Sequence, residues 1–134
     1  MKNKFLFGML VTLMLLHNKS ISQEYEFTKQ DTLRGSVTPE RAWWDLTYYH
    51  LDIAVDLDNK FIKGSNTIEY KVLEPNKKLQ VDLQSPLKIT KVEQNGKELT
   101  FSSEGSAHFI NLIEKQRKGK INSVNKIFIF QTSL

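Results

Sequence analysis

A chain of 134 residues holds material for one domain with a single modest core. It contains no cysteine, which excludes a disulfide framework, a thiol nucleophile and a lipid-modified cysteine anchor. The formal charge of +4 falls to +1 once Lys2, Lys4 and Lys19 are set aside with the first 22 residues, leaving 16 basic against 15 acidic groups. A near-neutral surface of mixed sign has no electrostatic footprint for nucleic acid.

The first element is a signal-like segment. Lys2 and Lys4 precede an apolar run from Phe5 to Leu16, and "SIS" at Ser20 to Ser22 offers small residues where a signal peptidase cuts. The run has 12 residues, too few to cross about 30 Å of hydrocarbon as a helix. The pattern predicts a secretory signal over residues 1–22, with an uncleaved anchor as the alternative, and no membrane span after it. Either way the body is expected to be exported: periplasmic, cell-envelope or secreted. Export without disulfides suits a bacterial protein stabilised by packing.

Residues 23–40 are polar and aperiodic, with Gly35 and Pro39, and read as an arm or linker. A β-domain is expected over residues 41–134. At its start stand Trp43 and Trp44. Neighbours in an extended chain point opposite ways, so one ring is expected to pack inward while the other covers the arm. The other reading is an exposed aromatic platform for peptide or glycan, with Tyr48 as its third member.

Tyr49, Leu51, Ile53, Val55 and Leu57 then alternate with polar residues, which puts one apolar set on one face of a strand. "DLDNK" (Asp56 to Lys60) is a turn, and Ile62, Ile68, Tyr70 and Val72 mark the second strand of a hairpin. Leu79, Val81 and Leu83 mark a third strand, closed by Pro86. Asn95-Gly96 between two strand-like runs predicts a tight type I′ hairpin, and "AHFINLI" and "VNKIFIFQ" complete the series. About seven short strands with turns every ten residues or so predict an all-β antiparallel sandwich, whole or incomplete. Ile127 to Phe130 is apolar on both parities, as in a strand flanked on both sides, so the natural domain is expected to continue past Leu134 or to have an altered end.

No residue set announces chemistry. There is no "HExxH", no "GxSxG" and no phosphate-binding glycine loop. His17, His50 and His108 each lack a second ligand at close spacing; His50 and Asp52 share a strand face, but the polar one. His108 is expected to be exposed or covered by another layer. Ser102 and Ser103 sit by a turn, Asp56 and Asp58 offer too few oxygens for calcium, and Glu114 to Lys120 reads as a solvated loop. Composition and spacing assign no catalytic, metal-binding or substrate-binding residue.

The stretch "TPERAWWDLTYYHLDIAVDLDNKFIKGSNTIEYKVL", with "LQVDLQSPLKITKVEQNGKELTF" after it, resembles the N-terminal domain of aminopeptidase N-like zinc metallopeptidases, the gluzincin family that includes leukotriene hydrolase. The resemblance runs from about Gly35 to Ile113 and fades past Lys118. It implies a domain that caps a catalytic unit and helps bind the substrate's N-terminus while zinc-activated water removes N-terminal residues from peptides. In that family zinc sits on an "HExxH" helix and the substrate amine on a "GxMEN" loop. This sequence has neither, so none of those residues carries over and Gln131 is not assigned. The resemblance therefore implies a truncated piece that binds no zinc, is silent alone and exposes an apolar patch. Its expected partner is the missing catalytic domain, with peptide substrate only in the full-length form.

Overall fold

The structure, a computed structural model, describes residues 26–131, so the signal or anchor reading lies outside the described residues. Two short helices, α1 (Lys29–Gly35) and α2 (Pro39–Ala42), lead into β1 (Trp44–Asp56), β2 (Phe61–Val72), β3 (Lys78–Asp82), β4 (Leu87–Gln94), β5 (Lys97–Glu98), β6 (Phe101–Glu104), β7 (Ala107–Asn111) and β8 (Ile121–Gln131). Within the polar stretch 23–40 read as an arm, and just past it to Ala42, the chain forms two short helices that no period announced. At seven and four residues they are too short to show a 3.6-residue period. They are written instead in end signals: Thr28 and Asp31 form a capping box, and Pro39 occupies the first turn of α2.

All pairings are antiparallel. A five-stranded sheet has the order β1-β2-β8-β4-β5, and a three-stranded sheet the order β3-β7-β6. β8 runs between β2 and β4, and of its two apolar parities Ile127 and Ile129 face the core while Phe128 and Phe130 stand on the opposite face of the sheet. Eight strands replace the expected seven or so because "KELTF" is not one strand. Leu99 N still donates to Val92 O (2.9 Å), whereas Asn111 N donates to Thr100 O (3.0 Å), so the chain leaves one sheet and joins the other between Leu99 and Thr100. The buried Leu99 side chain pins that crossing in the core.

Inward-facing residues of both sheets make the core: Ile68, Tyr70, Val72, Leu79, Val92, Ile110, Leu112 and Val124 are almost fully buried. The edges of Trp43 and Trp44 both meet Tyr70, at 5.7 and 5.8 Å between ring centres. The expected opposition of the two tryptophans fails because Trp43 is still helical (φ −88°, ψ −7°) and closes α2. The alternation begins only at Trp44.

Helix α1 lies against the outer face of the small sheet. Gln80, placed on a polar face by alternation, is buried there: its Nε2 donates to Leu33 O (3.1 Å) and its Oε1 accepts from Thr38 Oγ1 (2.6 Å). Arg41 pairs with Asp82 beside it. At its middle, Leu79 and Gln80, β3 is therefore covered on both faces.

Candidate interface

The register of the first hairpin decides what β1 presents. Leu46 stands opposite Tyr70 and Tyr49 opposite Ile68, with a bulge between Leu46 and Tyr48. The bulge inserts one residue, so Tyr49, Leu51, Ile53 and Val55 continue on the face that Trp44 and Ile68 bury. The small sheet does not extend alongside them. Leu51, Ile53 and Val55 keep 60%, 56% and 61% of their surface exposed, beside a buried Ile68 at 1%. The alternation does mark a one-sided apolar strand; what it cannot carry is that no layer among the described residues covers the outer half of that strand. Partial burial pushes the Tyr49 phenol above its ordinary pKa.

Gly64 explains how β1 lies so close to its neighbour. A Cβ there would strike the carbonyl oxygen of Asp52 on the facing strand. At the tip of the hairpin, Asp56 accepts from Asn59 N (2.8 Å) and Asn59 Nδ2 (3.0 Å), and these bonds hold its carboxyl below the usual carboxylate range.

The opposite face of the large sheet is mixed. Asp52, Lys63, Thr90, Lys126, Phe128 and Phe130 border a shallow hollow of about 450 Å³. Lys91 stands over the Phe128 ring at 5.6 Å and Phe61 packs on Phe130 at 6.0 Å, so much of its aromatic surface is already engaged.

The sequence-predicted residues are scattered. Trp43 is 3% exposed and donates Nε1–H to Lys78 O (2.7 Å), and the half-buried Trp44 donates to Glu40 O (3.0 Å). Both indoles pack as structural groups, and Tyr48 alone of the three is exposed. His50 and Asp52 are on the solvent-exposed strand, two residues apart. His108 is covered and shares the inward parity of Ile110: its Nδ1 lies 2.7 Å from Ser103 Oγ and its Nε2 3.4 Å from Leu83 O. Ser103 OH donating to Nδ1, with Nε2–H donating to the carbonyl, satisfies a neutral ring.

A buried amide cluster carries no signal in the sequence. Gln94 Nε2 donates to Ser123 O (3.2 Å), Gln94 Oε1 accepts from Ile113 N (3.2 Å), and Gln116 Oε1 accepts from Asn122 Nδ2 (2.6 Å) and the Tyr70 hydroxyl (3.5 Å). These groups satisfy one another and tie the turn after β7 to β8.

Among the described residues no group of three or more His, Cys, Asp or Glu comes together to hold a metal ion, and no helix is long and apolar enough to cross a membrane.

No protein-family model and no curated protein matches the chain. Solved structures do. The M1 zinc metallopeptidase of Deinococcus radiodurans superimposes with a TM-score of 0.60 at 16% identity, over 69% of this chain and 21% of that one. A mutant of it has been solved with a Tyr-Ser-Ala substrate bound. Native leukotriene A4 hydrolase from Saccharomyces cerevisiae superimposes with a TM-score of 0.52 at 24% identity, over 64% of this chain and 15% of that one. The chain thus spans about a fifth or less of the structures it resembles. At these identities the likeness is one of fold: the two sheets resemble a part of these metallopeptidase structures.

Proposed function

We propose that this chain is a partial, non-catalytic N-terminal β-domain of an exported zinc-dependent aminopeptidase, and that its work is to support and cap a catalytic domain while that domain removes N-terminal residues from peptides. The observation that carries this reading is the stripe of Tyr49, Leu51, Ile53 and Val55. A core face that runs on past its covering layer is apolar surface shaped for a further layer, and singly exposed side chains do not form such a row. The fold shared with metallopeptidases of several times this length supports reading that layer as a catalytic domain. Zinc and the residues that activate water belong to it, and the chain by itself hydrolyses nothing.

A self-standing binding module for peptide or glycan finds less support. Its platform required Trp43, Trp44 and Tyr48 together, and the two indoles are spent on the core, α2 and β3.

Reading the coding DNA beyond Leu134 tests the proposal: a continued or frameshifted frame with "HExxH" is the expected result, and an unrelated gene behind a secure stop overturns it. Assay of the purified chain for zinc and for release of amino acids from a tripeptide is the second arm. Stoichiometric zinc with hydrolysis overturns it equally.

A further inference from the structure

The edges of the two sheets are treated unequally. β5, at one end of the large sheet, is two residues long and fully charged, Lys97 and Glu98. In the small sheet β6 is four residues long and ends at Glu104, and the Lys78 carbonyl of β3 is taken by the Trp43 indole. Shortness, charge and cover are the usual guards of an open edge. Along its outer half β1 is neither short nor covered among the described residues, and it carries charge only at Asp52 and, at the hairpin tip, Asp56. It is 13 residues long, contains neither lysine nor proline, and pairs only with β2 among the described residues. Its outer backbone N–H and C=O groups are a template for one more strand, flanked by the apolar stripe already described.

We infer that this edge pairs with β1 of a second copy of the chain, antiparallel, about a two-fold axis at Leu51. The inference concerns the edge of the sheet and stands apart from what covers its face. An antiparallel ladder alternates two kinds of facing pair, so two identical strands related by a two-fold axis must centre on a residue, not between residues. Few centres remain. Asp52 at the axis would oppose two carboxylates, and His50 at the axis would oppose two imidazoles and set Asp52 against Tyr48. Ile53 at the axis pairs His50 with Asp56, but Asp56 already accepts from Asn59 N and Nδ2 at the hairpin tip, and Asp52 is left facing Ala54.

Leu51 at the axis gives the one acid within the regular stretch Tyr48 to Ala54 a complementary partner. It sets His50 of each copy opposite Asp52 of the other and Tyr49 opposite Ile53. The two apolar stripes then meet on one face, and the two His–Asp pairs flank the axis on the other. An imidazole N–H facing a carboxylate can donate to it, and directly opposed aromatic and β-branched residues stabilise a sheet. The same strand offers complementary chemistry to itself, which makes a second copy the fitting occupant.

The absence of native cysteine makes the test clean. In the full chain, Leu51→Cys should cross-link to itself under mild oxidation, since residues on the axis lie about 4.5–5.5 Å apart between Cα atoms, within disulfide reach. Leu57→Cys, well exposed on the same hairpin, should cross-link at least ten-fold more slowly, because its two copies would lie roughly 40 Å apart. Sedimentation equilibrium of the unmodified chain should show a dimer whose association weakens about ten-fold or more in His50→Asp and recovers to within about three-fold in the swap His50→Asp with Asp52→His. Circular dichroism confirms that each variant is folded. Equal cross-linking of Leu51→Cys and Leu57→Cys, a monomer at about 100 µM, or a Leu51→Cys thiol shielded within a monomer would overturn the inference. The last outcome would mean that another segment or partner occupies the edge. None of these results bears on whether a catalytic frame lies beyond the chain.

Discussion

At the residue scale the fold turns on Tyr70. It is buried at the centre of the core, takes the edges of two indoles, and sends its hydroxyl toward the amide cluster. Burial pushes the phenol up to about 12, a rise that a hydrogen bond with Gln94 only partly offsets. The folded state thus favours the neutral form. Stability from this group is complete below the ordinary phenol pKa of about 10 and is lost as pH rises from there to about 12, in total about 3 kcal/mol. Tyr70→Phe should cost about 1 kcal/mol at neutral pH, the net worth of a weak hydrogen bond, and should flatten the alkaline arm of a urea-denaturation series run between about pH 9 and 12. A mutant as alkali-sensitive as the parent would mean that some other group sets that arm. Gly64 makes a second residue-level case: Gly64→Ala drives a methyl into the Asp52 carbonyl, and backbone cannot yield as a side-chain tip can. A loss of about 1–3 kcal/mol in chemical denaturation is expected, with faster amide exchange along β1.

At the scale of elements, legibility depends on whether a signal is local. The hairpin at Asn95-Gly96 is readable because both residues tolerate positive φ, and they take +53° and +74° with Gln94 facing Lys97. Gly96→Ala should therefore cost about 1 kcal/mol of stability by thermal melting, while Asn95→Gly should be nearly neutral. The double apolar parity of Ile127 to Phe130 is readable as a pattern, and its two halves have different causes: Ile127 and Ile129 face the core, while Phe128 and Phe130 meet Lys91 and Phe61 on the opposite face. Helices α1 and α2 escape a search for periodicity since they bury no apolar stripe of their own. Their sequence carries caps rather than a period. The sheet switch at Leu99–Thr100 and the buried amides Gln80, Gln94 and Gln116 are tertiary facts: each depends on a partner distant in sequence, such as Thr38 for Gln80, and alternation along one strand holds no information about it.

At the scale of the whole molecule, the candidate site is half legible. Alternation shows that Tyr49, Leu51, Ile53 and Val55 share a face; only the assembled sheets show that the face outruns its cover. The distinction has a measurable consequence, because burial and not residue type sets the cost of truncation. Ile68 and Ile53 lie on the same face of the same hairpin, one sealed in the core at 1% exposed, the other open at 56%. In the chain alone, at concentrations where it is monomeric, Ile68→Ala should lose about 2–5 kcal/mol and Ile53→Ala less than about 0.5 kcal/mol in urea denaturation. Carried on a protein that includes a covering catalytic domain, the same Ile53→Ala should cost about 1–3 kcal/mol, since the methyl groups removed would then leave a cavity instead of open water. A rise in cost from the short form to the long one locates the missing layer on this stripe. Equal and small losses in both would place that layer elsewhere and leave the exposed half of β1 without the role proposed for it.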